Sequence, residues 1–208
     1  NSVVNRYTEE IDCNLEQIEK NGYRHFMLKE IIEQQNSIYD CMRGRIKGDN
    51  IVLGGIEYNS LIASKIINMQ RLIICACGTS WHSAIIGEYM IQEIAKVPVK
   101  VEYASEFRYK KNIFLENDIV LVISQSGETA DTLEAVRIAK KNNVTVIGIC
   151  NVIGSSIANE TDAGIYLHIG PEIGVASTKA FTSQINVLLL FSIWLAQKKK
   201  IEINDNII

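Results

Sequence analysis

The segment Ile119-Val-Leu-Val-Ile-Ser124-Gln125-Ser126-Gly127-Glu128-Thr129 carries the strongest structural signal in the chain. Its first five residues are apolar and four of them are β-branched, which predicts a buried β-strand. Two serines, a glutamine and a threonine follow, ahead of a helical run over 130–140. Such a turn directs backbone N–H groups, hydroxyls and a helix N-terminus towards one point. The stretch therefore predicts a phosphate-binding turn that uses neither a metal nor an arginine.

Strands and helices alternate along the chain on both sides of this stretch. Near-continuous apolar runs predict five strands, as expected for a parallel sheet that is buried on both faces. The predicted strands cover 71–76, 99–103, 118–123, 144–149 and 163–168, with helices between them. The sequence therefore belongs to the α/β class and predicts a three-layer αβα sandwich around a five-stranded parallel sheet.

Helices are also predicted before and after the sheet. The pattern over 26–45 is helical, although the polar run Gln34-Gln-Asn-Ser37 predicts a break into two pieces. A long final helix is predicted from about Gly174 to Gln197, with an apolar face that suits either a subunit interface or the core. The predicted division is a polar lead-in, 1–25, and one α/β domain with its N-terminal helices, 26–208.

The composition restricts the class of protein. The chain has 208 residues, is 47% hydrophobic and carries a net charge of −3, which argues against a nucleic-acid-binding surface. The apolar run over 187–196 is far shorter than the ~20 residues of a membrane span. No secretory signal is visible at the start of the chain. We therefore expect a cytoplasmic protein with neither nucleic-acid nor membrane partners.

The cysteines and histidines do not form a recognisable metal site. The number of cysteines is odd and three of them lie in or beside apolar strands, which predicts reduced thiols. The Cys75-x-Cys77 pair has no second pair to complete a zinc site. We predict no metal and no cofactor. The cysteines are Cys13, Cys41, Cys75, Cys77 and Cys150, and the histidines are His25, His82 and His168.

A second turn, Cys77-Gly78-Thr79-Ser80, follows the first predicted strand and has the same chemistry. Its glycine permits close backbone approach and its hydroxyls can donate to an anion. Either turn alone is equally well explained by helix N-capping. Two such turns at the carboxyl ends of strands in one sheet favour a ligand site, because ligands bind at that edge.

The sequence favours a single phosphomonoester, such as a sugar phosphate, over a nucleotide. It contains neither the dinucleotide-binding glycine pattern nor a P-loop. A third segment, Gly170-Pro-Glu-Ile-Gly-Val-Ala-Ser-Thr-Lys179, opens the final helix with small residues. Those residues suit either close contact with a ligand or an ordinary helix start.

Several motifs together resemble the sugar isomerase (SIS) domain. They are Cys77-Gly-Thr-Ser80, Ser124-Gln-Ser-Gly-Glu-Thr129 and Glu172-Ile-Gly-Val-Ala-Ser-Thr-Lys179. Three further segments resemble the first of the two SIS domains in the glutamine–fructose-6-phosphate aminotransferase family, over about 26–197. These are His25-Phe-Met-Leu-Lys-Glu-Ile31, Met42-Arg-Gly-Arg45 and Ala104-Ser-Glu-Phe-Arg108. That family makes glucosamine 6-phosphate from fructose 6-phosphate and glutamine, so the resemblance implies a transferase.

The resemblance also implies site residues and partners. The partners would be a hexose 6-phosphate, a glutaminase domain, a second SIS domain and a second copy in a homodimer, with no cofactor. Because the isomerisation residues of the family lie in the second SIS domain, we expect this chain alone to be inactive. The implied phosphate contacts are Ser80, Ser124, Gln125, Ser126 and Thr129, with Thr79 beside them, and the implied sugar contacts are the backbone near Val175 and the side chain of Ser177.

Five other residues near these loops have both a chemical and a structural interpretation. Glu172 is a weak local candidate for acid–base catalysis, although a structural role is favoured. Structural pairing is favoured for Lys179, a packed or solvent-facing position for His82, and a place in the pocket wall for Cys77. Glu128 is expected to point away from the phosphate. Two other functions remain open, a single-SIS sugar-phosphate-binding regulator and a stand-alone dimeric sugar-phosphate isomerase.

Overall fold

A computed structural model describes residues 19–203, so most of the predicted lead-in, 1–18, lies outside the described residues. The helices are α1 (Phe26–Met42), α2 (Gly54–Glu57), α3 (Ser60–Ile67), α4 (Gly78–Ala95), α5 (Ala104–Tyr109), α6 (Ala130–Lys141), α7 (Ser156–Glu160) and α8 (Lys179–Lys199). The strands are β1 (Ile46–Lys47), β2 (Asn50–Ile51), β3 (Arg71–Ala76), β4 (Val99–Tyr103), β5 (Asp118–Ser124), β6 (Thr145–Cys150) and β7 (Ala163–Tyr166).

Strands β3 to β7 form the predicted five-stranded sheet, in the order β4-β3-β5-β6-β7, and every neighbouring pair is parallel. The chain begins in β3, moves outward to β4, and then crosses back to β5 on the other side of β3. This reversal makes the boundary between β3 and β5 the topological switch point of the sheet. Strands β1 and β2 form a separate antiparallel hairpin before it.

Both faces of the sheet are covered, which confirms the three-layer prediction. Alternate residues of β3 point in opposite directions, so Leu72 and Ile74 join one apolar cluster while Ile73 and Cys75 join the other. Helices α4 and α8 pack on the first face, and α1 packs on the outer side of α8. Helices α5, α6 and α7 cover the second face.

Helix α1 is continuous through Ser37, so the predicted break at 34–37 is wrong. Ser37 is buried, and its hydroxyl bonds to the carbonyl of Gln34 at 3.0 Å and lies 3.3 Å from the hydroxyl of Ser183 on α8. The polar run therefore continues the helix because its side chains are satisfied by backbone carbonyls and by the facing helix. Sequence pattern alone does not reveal that partner.

Several predicted boundaries also differ from the structure, and two of the differences have a clear local cause. Strand β7 ends at Tyr166, before the predicted end at His168, which has a positive φ of 57° and cannot continue a strand. Helix α8 begins at Lys179, five residues after the predicted start at Gly174. The intervening residues are held in an irregular loop by side-chain acceptors that are described below.

The apolar face of α8 is core, which settles the two roles that the sequence left open. Its fully buried large side chains are Val187, Leu188, Phe191, Trp194 and Leu195. By length and composition alone, α8 could cross a membrane, but 61% of its most apolar window is buried within the fold. Such burial is typical of the central helix of a soluble domain.

Candidate functional site

The two predicted phosphate turns lie side by side at the switch point of the sheet. The last residue of β3, Ala76, pairs with Ile123 of β5, so the next residues of both strands leave the sheet at the same edge. We refer to residues 77–80 as the β3 turn and to residues 124–129 as the β5 turn. In a doubly wound sheet this crevice is where ligands bind. The topology thus brings together two hydroxyl-rich segments about fifty residues apart in sequence.

The β5 turn contains a chain of hydrogen bonds that ends on a hydroxyl. The Gly127 N–H donates to Ser124 Oγ at 3.0 Å, and Ser124 Oγ lies 3.0 Å from Thr129 Oγ1. When Ser124 donates to Thr129, the Thr129 proton has no acceptor among the described residues. Because each hydroxyl has one proton, the arrangement in which Ser124 donates presents Thr129 as a donor to whatever occupies the crevice.

The hydroxyl of Ser126 also keeps its proton available, whereas the carboxylate of Glu128 forms its hydrogen bond outside the turn. Ser126 Oγ accepts the Glu128 N–H at 3.2 Å, which leaves the Ser126 proton available. The Glu128 carboxylate accepts the Ser156 N–H at 2.7 Å, and this bond holds the pKa of Glu128 below its ordinary value. As expected, the negative charge of Glu128 is engaged at the start of α7, outside the turn.

The β3 turn is tied to the final helix. Gln184 on α8 donates its side-chain N–H to Ser80 Oγ at 3.0 Å, and its amide oxygen accepts from the buried Ser83 at 2.9 Å. Ser80 therefore also accepts an internal hydrogen bond and keeps its own proton for a ligand. It lies in the first turn of α4, where the helix dipole favours an anion. Thr79 is exposed beside it.

Glycine is required in the β5 turn by both conformation and space. Gly127 has φ +69°, and a Cβ added there would lie 1.9 Å from Ser155 Oγ and 2.4 Å from Ser155 Cβ. Gly78 in the β3 turn has φ +56° with open space around it. Backbone in this left-handed region is strained for residues that have a Cβ. Both turns thus have a left-handed backbone residue that glycine permits, buried at Gly127 and exposed at Gly78.

A third loop, residues 170–178, runs along the same edge of the sheet into α8. Asn151, just after β6, joins it to the β5 turn: its N–H donates to Gln125 O at 3.2 Å and its side-chain amide donates to Gly170 O at 2.7 Å. Val175 is fully exposed and Ser177 is half-buried. Among the described residues, no acceptor lies within hydrogen-bonding distance of the N–H groups of 175–177. These groups remain available to a ligand.

The other charged residues near this loop have structural partners. Glu172 Oε1 accepts the N–H groups of Thr178 at 2.9 Å and Ala180 at 3.1 Å, so it caps the start of α8. Lys179 is 5% exposed and its ammonium lies 2.8 Å from a carboxylate oxygen of Glu33. The structural interpretation is therefore favoured for both residues. Within the part of the chain that the structure describes, no group of three potential metal ligands occurs.

The remaining candidates also lie where a structural role was expected. His82 is exposed, with its ring edge-on to Trp81 at 5.1 Å. Cys77 is half-buried, and its sulfur lies 3.9 Å from the hydroxyl of Thr132. Within residues 19–203, no hydrogen bond or ion pair joins either side chain to a base or acid that would activate it.

Three residues that support the site escaped the sequence analysis. Asn151 and Gln184 link the loops to each other and to α8, and Glu30 of α1 accepts N–H groups of the third loop. Asn151 and Gln184 stand in no recognised motif, so no local pattern indicates their partners. Glu30 lies within the segment His25–Ile31, whose resemblance to the aminotransferase family was a usable signal.

Comparison with known families agrees with this geometry. Residues 65–193 match the model of the SIS domain family, which is more than half of the chain. The chain belongs to the SIS domain family. The match begins in α3 and ends in α8, so the SIS region contains the β3 turn, the β5 turn and the third loop, while α1 precedes it.

Relatives of this SIS chain are longer proteins. It is 54% identical over 194 residues to the glutamine–fructose-6-phosphate aminotransferase (isomerizing) of Bacteroides thetaiotaomicron, an alignment that covers 92% of the chain and 31% of the relative. The protein of the same name from Chlorobaculum tepidum is 53% identical over 195 residues, with the same coverage. The chain thus spans about a third of the length of these curated relatives.

A solved structure gives the same result. The C-terminal domain of glucosamine-fructose-6-phosphate aminotransferase from Francisella tularensis superposes with a TM-score of 0.81 and 40% sequence identity. The superposition covers 91% of this SIS chain and 52% of that chain. The first part of the sequence prediction, membership of the SIS domains with a likeness to this aminotransferase, is therefore confirmed.

Proposed function

We propose that the chain binds the phosphate of a hexose 6-phosphate between the β3 and β5 turns. The observation that carries this proposal is the state of three hydroxyls, on Ser80, Ser126 and Thr129. Ser80 and Ser126 each accept an internal hydrogen bond, and Thr129 accepts one when Ser124 donates, so all three protons can then donate to an anion. Donors of this kind are preorganised, and the dipole of α4 adds partial positive charge at the same point.

The remaining predicted residues complete this proposal. Ser124 relays the hydrogen bond that orients Thr129, and Gln125 and Thr79 lie at the edges of the two turns. In the third loop, the unbonded N–H groups of 175–177 and the hydroxyl of Ser177 are suited to sugar oxygens. The Val175 side chain is fully exposed, so its contribution would come through its backbone.

For the whole protein we propose the activity for which its relatives are named. The chain would be the first SIS domain of a cytoplasmic glutamine–fructose-6-phosphate aminotransferase that forms glucosamine 6-phosphate. A glutaminase domain, a second SIS domain and a second copy of the protein would complete the enzyme. Glu172, the only local acid in the third loop, already caps α8, which supports the expectation that the chain alone does not isomerise sugars. A coupled assay in which the chain alone turns over fructose 6-phosphate would contradict it.

Calorimetry with glucosamine 6-phosphate tests the phosphate site. Ser126→Ala and Thr129→Ala should each weaken binding by about 1–2 kcal/mol, because each removes one hydrogen bond to a charged group. Ser64→Ala, an exposed serine on α3, is the matched control and should bind as the wild type does. Inorganic phosphate should compete with the sugar phosphate. Wild-type affinity in both site variants would refute the proposal.

A further inference from the structure

We propose that Glu30 of helix α1 is a positioning residue that sets the third loop to contact the sugar. This inference rests on the proposed function, since it concerns the same ligand. It concerns a part of the molecule that precedes the SIS match, which begins at residue 65. In this proposal the SIS region binds the phosphate by itself, and α1 raises the affinity for a sugar phosphate relative to inorganic phosphate.

The geometry of Glu30 is that of a buried anchor for the loop backbone. Glu30 is 2% exposed. Its Oε1 accepts the Ile173 N–H at 2.6 Å and the Gly174 N–H at 3.1 Å, while Oε2 lies 3.2 Å from the same Gly174 nitrogen. Charge-assisted bonds from backbone N–H groups are strong, and a buried carboxylate without them is costly. The carboxylate and this loop conformation therefore depend on each other.

Helix α1 is fixed to the core by contacts that do not involve Glu30. Ser37 meets Ser183 at 3.3 Å, and one turn later the Asn186 side chain lies 3.1 Å from the Cys41 sulfur. Helix α1 is therefore held in place independently of Glu30, and the hydrogen bonds of Glu30 hold the loop against this helix. If the loop were held only at its ends, by Asn151 and by Glu172, its middle would be free to move.

The position of the loop decides where its free donors point. The N–H groups of Ile173 and Gly174 are directed to Glu30, and the next three N–H groups, 175–177, have no acceptor among the described residues. Fixing two consecutive peptide groups restricts the orientation of those that follow. A preorganised donor set binds its ligand more tightly because less conformational entropy is lost on binding.

Gly174 gives a second way to disturb the same contact. A Cβ added at Gly174 would lie 2.5 Å from Glu30 Oε2 and 3.5 Å from the Met27 Cα. Gly174→Ala would therefore push the carboxylate away from the loop without changing a titratable group. Variants on the helix and on the loop should have the same effect if the contact itself is what matters.

The test compares two ligands, glucosamine 6-phosphate and inorganic phosphate, by calorimetry on the intact protein. Glu30→Ala and Gly174→Ala should weaken glucosamine 6-phosphate binding by about tenfold and leave inorganic phosphate within about twofold. Glu30→Gln should lose less affinity than Glu30→Ala, since its amide oxygen still accepts. In Glu30→Ala, hydrogen exchange should accelerate at the amides of Ile173 and Gly174.

The control variant is Glu33→Gln, one turn along the same helix. It disturbs the buried contact with Lys179 but leaves both loop bonds to Glu30 in place, so the ratio of the two affinities should not change. Either of two results would overturn the inference. The first is that Glu30→Ala and Gly174→Ala weaken the affinity for both ligands by the same factor. The second is that both variants keep the wild-type affinity for the sugar phosphate. If the wild type itself fails to bind glucosamine 6-phosphate, the proposed function fails first, and the inference fails with it.

Discussion

The β5 turn should be intolerant of any side chain at Gly127. In Gly127→Ala, the left-handed φ of +69° costs about 1–2 kcal/mol, and the new Cβ would lie 1.9 Å from Ser155 Oγ. Relief of that overlap adds about 1–3 kcal/mol, as overpacking usually does. We therefore expect the free energy of unfolding, measured by urea denaturation, to fall by about 2–5 kcal/mol.

Two further variants separate the conformational cost from the overlap. Gly78→Ala has a similar φ of +56° but open space, so it should cost only the conformational part, about 1–2 kcal/mol. Ser155→Gly removes the obstructing atoms, and its hydroxyl makes no capping bond that would be lost. The double variant Gly127→Ala/Ser155→Gly should return to about the cost of Gly78→Ala, which a double-mutant cycle would reveal. The reasoning is refuted if Gly127→Ala costs no more than Gly78→Ala.

Three further tests concern a buried carboxylate, a partly exposed carboxylate and a buried thiol. Asp118→Asn should lower the free energy of unfolding by about 2–3 kcal/mol, because the fully buried carboxylate accepts two charge-assisted hydrogen bonds from Arg71. An unchanged midpoint of urea denaturation would contradict this prediction. Burial raises the pKa of Glu57, but hydrogen bonds from Lys198 and a neighbouring indole outweigh it and hold that pKa below 4.5. The stability that ionised Glu57 contributes is therefore present at neutral pH and lost as the pH falls below 4.5. The difference in urea midpoint between the wild type and Glu57→Gln should shrink as the pH is lowered. A difference that stays constant with pH would argue against this reasoning. Burial raises the pKa of Cys150 to about 12, so iodoacetamide at about pH 8 should modify this thiol only after the protein unfolds. Peptide mass spectrometry measures the modification. Rapid modification of Cys150 in the native protein would show that the thiol is not buried.

The two turns of the proposed phosphate site are held in place by residues from other parts of the fold. Ser80 is held by Gln184 of α8, and the β5 turn is joined to the third loop by Asn151. The loop is in turn held by Glu30 of α1. The hydroxyls therefore occupy fixed positions before any ligand arrives, which limits the entropy lost on binding.

Much of the site could be predicted because its chemistry is local. The β-branched run 119–123 defines a buried strand, and the glycine and hydroxyls that follow it define a turn. The same logic placed the β3 turn, and parallel topology then required both turns to meet at one edge. The predicted break at Ser37 failed because its partner, Ser183, lies 146 residues away.

Local sequence is enough to predict the α/β class, the five strands and the composition of the β3 and β5 turns, because period, β-branching and turn chemistry act between near neighbours in the chain. The partners of the turn hydroxyls and the anchor of the third loop are visible only in the folded chain. Those outcomes depend on Gln184 reaching Ser80 across 104 residues and on Glu30 reaching Gly174 across 144. The first contact forms when α8 packs on α4, and the second forms when α1 packs beside α8. Packing is a property of the whole fold rather than of any one segment.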